Sequence, residues 1–344
     1  MNIWKVSAEG GEPEQITAGQ GDDAELDLSA DGKRLVFSSY RMNINIAEVA
    51  LNEDAPAQPG RFRWLTTDSA RGELFPAYSP DGKHIAYFTN RNGAENEAIW
   101  VMEADGANAV QLVGDERVNI LPRWMGDSET LVYHSLGAGT DVSLPGAQRQ
   151  FRSVTLSRSA PQILPVRSGP IRFDVARDGR LVYLSPDESV QVFNLATQQI
   201  RKLAAVKRVS GGGGDSALRW SPSGKTLAYV ISPLQENDSE AGVWVYNLEG
   251  TPRQVFRGWV VDFNWMADDE MLVVPGTPDL AGRLVRVRTD GTPAARISAS
   301  IQIHFLYLYD FVAARFDIHP DRRRIVTEAF ELHEADIGMI ENVR

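Results

Sequence analysis

Apolar and polar residues alternate with period two along most of the chain, in short runs broken by turn residues. That is the signature of half-buried β-strands rather than of helices. The pattern is sharpest in residues 73–106. Residues 75–78 form a short extended run, and Ser79-Pro80-Asp81-Gly82 is a tight turn, with proline fixing φ and glycine accepting a positive one. A second strand over 83–89 carries Ile85, Tyr87 and Phe88, Asn92-Gly93 opens another turn, and a third strand over 99–102 stops at Asp105-Gly106. Such a meander is marginal in water and needs neighbours on both faces.

The turn recurs seven times, beginning at Ser29, Ser79, Met125, Ala176, Ser221, Met266 and His319, at spacings of 50, 46, 51, 45, 45 and 53 residues. That is the period of a four-stranded propeller blade. One and three residues before each turn stand apolar residues: Leu28/Leu26, Tyr78/Pro76, Trp124/Pro122, Val175/Phe173, Trp220/Leu218, Trp265/Phe263 and Ile318/Phe316. Two before stand Asp27, Ala77, Arg123, Asp174, Arg219, Asn264 and Asp317. Four before stand Glu25, Phe75, Leu121, Arg172, Ala217, Asp262 and Arg315. This split predicts an innermost strand whose more polar row faces a central channel, where charges of both signs tie blades together.

The expected fold is therefore all-β: a seven-bladed propeller of four-stranded antiparallel blades, with six or eight blades as alternatives. Second strands follow each turn, third strands are expected near 44–49, 98–102, 152–156, 190–195, 243–248, 283–287 and 336–340, and weaker fourth strands include 63–66 and 109–112. The last blade lacks a fourth strand, and Glu14-Gln15-Ile16-Thr17 is a spare one. Pairing them would close the ring and remove an open sheet edge. Residues 1–344 are read as a single propeller domain, with Met1 either beginning a fragment of a longer polypeptide or starting the ring within a blade.

A formal net charge of −11 and a pI near 5.0 argue against a nucleic-acid footprint and against an anionic membrane surface. With no cysteine there is no disulfide framework and no thiolate chemistry. The N-terminus lacks the basic and apolar regions of a signal peptide, and no apolar run is long enough to span a bilayer.

Several residues suggest chemistry, and each has a plainer reading. The turn aspartates Asp31, Asp81, Asp127 and Asp178 are read as turn formers that bond nearby backbone N–H groups, rather than as metal ligands. Asp22, Asp23, Glu25 and Asp27 could hold a hard cation, but a solvated channel mouth offset by arginines is favoured. Ser221 to Thr226 ends like a phosphate-binding loop, but Arg219 stands where its first glycine is required. Of the five histidines, His304 and His319 fall near one inner strand, yet read as a loop and a turn residue. The inner tryptophans are blade packing. No Gly-x-Ser-x-Gly elbow is present, which argues against a serine hydrolase. The insertion over 301–311 is dense in aromatics. Either Phe305, Tyr307 and Tyr309 contact a partner at one channel mouth, or the segment caps the core between two blades.

The turn with its Lys and the Ile99-Trp100-Val101-Met102-x-Ala-Asp-Gly strand, together with Leu218-Arg-Trp-Ser-Pro-Ser-Gly-Lys-Thr-Leu-Ala-Tyr229, resemble the repeat of TolB-type (WD40-like) β-propellers. The resemblance covers nearly the whole chain as degenerate repeats. It implies a non-enzymatic, cofactor-free binding platform of bacteria, periplasmic or in the cell envelope, whose partner is another protein or a fused domain, without nucleic-acid binding or membrane insertion. The candidate binding residues are Asp27, Arg123, Asp174, Arg219, Asp262 and Asp317 in the channel, and Phe305, Tyr307 and Tyr309 at its mouth. Two alternatives compete with this: a propeller-type lyase or glycoside hydrolase using pairs drawn from Asp27, Asp174, Asp262 and Asp317, and the non-catalytic propeller of a peptidase.

Overall fold

The repeated turn is closed by the same pair of backbone bonds in five of its seven copies, and by a version one residue shorter at Ala176. At the second copy Ser79 N–H donates to His84 O (2.9 Å) and Gly82 N–H to Ser79 O (2.8 Å). The side chains complete it: Ser79 Oγ donates to Asp81 Oδ1 (2.6 Å), which also accepts from Lys83 N–H (3.1 Å). Equivalent backbone bonds close the turns at Ser29, Met125, Ser221 and His319. The turn after Trp265 is a tighter hairpin in which Ala267 pairs Glu270. The aspartates expected to build turns do so. Asp31 is held below the usual carboxylate range by the Ser29 hydroxyl and then by Lys33 N–H.

In the computed structural model, residues 2–18, 22–51, 63–67, 72–90, 97–137, 149–157, 160–209, 217–234, 238–276, 283–290, 296–300 and 315–341 are described. They are all-β and fall into two compact units, Asn45–Ala329 and a smaller one made of Met1–Ile44 with Phe330–Arg344.

The larger unit carries six blade sheets among the described residues, the six-bladed form of the expected propeller. Blade 1 runs Glu73–Tyr78, His84–Thr89, Ala98–Glu103 and Val110–Val113, each strand antiparallel to the last. Blades 2 to 5 repeat the scheme from inner strands Val118–Trp124, Phe173–Val175, Leu218–Trp220 and Val260–Ala267. Blade 6 begins with Phe316–Ile318 and the first part of the strand Arg324–Glu341. Each inner strand contacts the next, and that of blade 6 contacts that of blade 1, so the six form a closed ring.

Closure differs from the expectation. Blade 6 takes its third strand from the end of Arg34–Ala50 and its fourth from Arg63–Trp64, with Ala47 opposite Trp64. The segment Glu14–Gln15 instead pairs Trp4–Lys5 within the smaller unit. The repeat read as a first blade is thus divided. Its outer strands complete blade 6, while its inner strand Asp22–Leu28 and the strand after it form a hairpin in the smaller unit, Leu28 opposite Leu35. The reason lies in side-chain bulk and charge. Leu26 and Leu28 are 57% and 50% exposed, whereas the aromatic residues at the matching places in other blades are buried. An inner strand with Asp23, Glu25 and Asp27 on its channel-facing row would crowd three carboxylates there.

Six apolar clusters glue the ring. In blades 1 and 2, Ile99 and Val101 meet Trp124 and Tyr133. At the closing seam Ile46, Leu65 and Val326 of blade 6 meet Tyr78, Ile85 and Tyr87 of blade 1. Each large side chain so buried contributes on the order of 2–3 kcal/mol. Tryptophans add a polar pin: Trp124 Nε1–H donates to Ala77 O (2.9 Å), and Trp265 Nε1–H to Arg219 O (3.2 Å), each reaching the preceding blade.

Turns also touch across blades. At the closing seam His319 Nε2 lies 3.1 Å from Gly82 O and, in the Nε2–H tautomer, donates to it. Gly82 has φ 71°, and a Cβ there would fall 2.6 Å from that nitrogen. Gly250, at φ 69°, has open space around it. Gly250→Ala should therefore cost only backbone strain, about 1–2 kcal/mol. Gly82→Ala should cost clearly more, because the seam must open as well. Urea unfolding of the two variants side by side checks this, and equal costs would refute it.

Candidate functional site

The inner strands fix which side chains face inward. In blades 1 and 2 the strand carries a bulge, with register breaks between Leu74 and Ala77 and between Ile120 and Arg123. At the break Phe75 and Leu121 adopt left-handed φ values of 59° and 56°. A bulge of this kind frees a backbone group from the ladder and re-aims the side chains beyond it. The freed Phe75 N–H donates to Glu328 Oε1 of blade 6 at 2.7 Å.

Inside the ring is a cavity of about 400 Å³. Its wall includes the residues two before each turn, Ala77, Arg123, Asp174, Arg219, Asn264 and Asp317, together with turn residues that come after the inner strands. Five arginines line it, Arg123, Arg177, Arg219, Arg315 and Arg322, against two aspartates.

Both aspartates are committed to the neighbouring blade. Asp174 Oδ2 accepts from Trp220 N–H (2.7 Å), and its Oδ1 lies 3.6 Å from Arg123 Nε. Asp317 Oδ2 accepts from Tyr78 N–H (2.7 Å), while its Oδ1 accepts from Ile318 N–H (2.9 Å) and Asn264 Nδ2 (2.7 Å). Burial pushes the Asp174 carboxyl above the ordinary range, opposed by Arg219, Arg123 and the Trp220 N–H. Burial likewise raises Asp317, opposed by the Tyr78 and Ile318 N–H groups and more weakly by the same arginines. Asp262 is buried beside them without lining the cavity; its Oδ1 accepts from Phe263 N–H (2.7 Å) and its Oδ2 from Phe316 N–H of blade 6 (3.1 Å).

Of the residues singled out from sequence, Arg123, Asp174, Arg219 and Asp317 meet at this cavity. Asp27 is exposed in the smaller unit, where its Oδ1 accepts the N–H of Leu28 (2.9 Å). Phe305, Tyr307, Tyr309 and His304 lie outside the described residues. Sequence reasoning passed over Arg177, Arg322 and Glu328. The two arginines occupy variable turn positions, which look solvent-facing in a repeat. Glu328 interrupts an apolar strand, Ile325-Val326-Thr327-Glu328-Ala329, and that interruption was the available signal. Among the described residues no group of three or more His, Asp or Glu is placed to hold a metal ion, and no helix is long and apolar enough to cross a membrane.

No family model matches the chain. Over 95 residues it is 33% identical to the Tol-Pal system protein TolB of Anaeromyxobacter dehalogenans, a match covering 27% of this chain and 20% of that relative. The chain thus spans about a fifth of the length of the relatives it matches. Among solved structures, TolB from Acinetobacter baumannii superposes with a TM-score of 0.51 at 12% identity, covering 91% of this chain and 81% of that one. An oligogalacturonate lyase in complex with manganese gives 0.55 at 12% identity, over 91% and 98%. Puromycin hydrolase gives 0.51 at 16% identity, over 94% and 54%. The chain folds as a β-propeller with a 95-residue stretch similar to TolB, and at these identities the solved structures speak to fold alone.

Removing the seam acceptor in Asp317→Ala leaves the Tyr78 N–H buried without a partner and should cost about 2–3 kcal/mol. Asp317→Asn, which keeps one acceptor oxygen, should cost less; chemical denaturation compares them. His134 is fully buried in blade 2, edge-on to Phe151 and 2.7 Å from Ser168 Oγ. Burial, then the nearby charges of Arg149 and Arg117, pushes its pKa down to about 3. The folded protein keeps it neutral while the unfolded chain takes up a proton below the ordinary value of 6.5. Its contribution is therefore full above that value and is lost as pH falls toward 3, by about 1.4 kcal/mol per pH unit. Urea midpoints measured from pH 7 to pH 5 should fall less steeply in His134→Phe, and parallel slopes would contradict this.

Proposed function

We propose that this propeller is a non-enzymatic binding platform that engages a protein partner, or a domain fused to it, at the arginine-faced cavity. One observation carries the reading. The two carboxylates in the cavity wall, Asp174 and Asp317, accept backbone N–H groups of the next blade. They are structural ties. Acid–base chemistry on a glycosidic bond needs a pair of carboxyl groups about 5–10 Å apart that are free to exchange protons with a substrate. Carboxylates held as acceptors between strands are poorly suited to that. The resemblance to TolB-type repeats supports a protein as partner, and the periplasm or cell envelope as compartment.

The competing reading is a propeller lyase, and a single pair of measurements separates the two. A photo-crosslinking residue at Arg177, on the cavity rim, should trap a discrete partner from its native cells. The same group at Ile200, exposed on an outer strand, should not. In parallel, the purified protein should leave oligogalacturonate unchanged in the presence of manganese. Accumulation of an unsaturated product would overturn the non-enzymatic reading, and crosslinking of equal yield at both positions would overturn the placement of the partner.

A further inference from the structure

The ring's interior runs against the charge of the protein around it. The chain has a net charge of −11, yet its cavity wall holds five arginines and two aspartates. The aspartates accept backbone N–H groups, and two of the arginines are already matched: Arg123 Nε lies 3.6 Å from Asp174 Oδ1, and Arg315 Nη1 lies 3.7 Å from Glu328 Oε1. Arg219 is only 7% exposed, and its Nη1 has no hydrogen-bond partner. Beside it Trp220 Nε1–H is also buried without a partner, although the matching nitrogens of Trp124 and Trp265 each reach a carbonyl of the preceding blade. Neither donor has an acceptor within the protein, and an oxyanion is a group that would match them. Arg177 and Arg322 stand exposed at the rim of the same cavity.

We infer that the cavity is a carboxylate-binding pocket that takes an acidic peptide segment of the partner, with Arg219 as the buried anchor and Arg177 and Arg322 as the steering charges at the mouth. The inference rests on the binding-platform reading and gives the partner its chemistry. A guanidinium presents paired donors that match a carboxylate's two oxygens, and low-dielectric walls strengthen the pairing. A volume near 400 Å³ admits one or two acidic side chains rather than a folded element. The segment must therefore reach in as an extended stretch or a chain end. The protein's overall negative charge rejects acidic proteins that do not place a carboxylate at the mouth.

The test uses the full chain and its own tryptophans, three of which line the cavity. Capped hexaglutamate is titrated against intrinsic fluorescence, with capped hexaglutamine and with citrate as separate arms. Saturable binding of hexaglutamate is expected, weakened by added salt and absent with hexaglutamine. Arg219→Met should reduce affinity about tenfold or more, as loss of a charged hydrogen bond does. Should that variant fail to fold, the rim double variant Arg177→Glu with Arg322→Glu, both exposed, should still weaken binding and flatten its salt dependence. Equal binding of hexaglutamine would overturn the charge recognition while leaving a peptide-binding platform standing. Binding of citrate with none of hexaglutamate would overturn the peptide ligand, and with it the platform reading. Hexaglutamate binding that neither set of substitutions alters would remove the cavity from the account.

Discussion

A carboxylate that accepts the backbone N–H of the neighbouring inner strand is the bond on which the ring depends. Inner strands in a propeller lie side by side without pairing as a sheet, so their outward N–H groups would be buried unsatisfied. Asp174 supplies an acceptor between blades 3 and 4, Asp262 between blades 5 and 6, and Asp317 and Glu328 between blades 6 and 1. Tryptophan side chains run the opposite way, donating to the preceding blade's carbonyls. Between them these strand edges facing the channel are satisfied by protein groups, and the apolar clusters behind can close.

This use of carboxylates also sets the character of the cavity. The carboxylates are engaged with backbone N–H groups, and the arginines that offset their burial form much of the chemical face of the interior. Arg315 shows the balance: it sits over the Phe75 ring at 4.0 Å and 3.7 Å from Glu328, both partners being buried. Arg219 faces the buried charge of Asp174, and its Nη1 has no hydrogen-bond partner. The surplus of positive charge there stems from an architecture that needs acceptors at strand edges and countercharges around them.

Much of the fold was legible in the chain because the repeat is local. The Ser-Pro-Asp-Gly turn, the apolar row holding Tyr78, Trp124, Trp220 and Trp265, and the polar row holding Arg123, Asp174, Arg219 and Asp317 depend on period-two alternation alone. The same alternation placed those four polar residues together at one cavity. The arginines at turn positions escaped it, because a turn residue has no periodicity to say where its side chain points. Glu328 escaped because its partner, the Phe75 N–H, lies 253 residues away in the sequence.

The sequence by itself determined that this is an all-β chain of about fifty-residue repeats whose blades meet through aromatic residues, since turn chemistry and side-chain alternation act over a few neighbours. Only the tertiary structure decided how the ring closes and how many blades it has. The first repeat looks like a blade in one dimension, but its outer strands complete blade 6 while Asp22–Leu28 is placed in the other unit. Which hairpin joins a ring depends on summed bulk and charge at an interface between distant segments. Three carboxylates on one row of a strand, with two small leucines on the other, satisfy the local pattern while failing that global requirement.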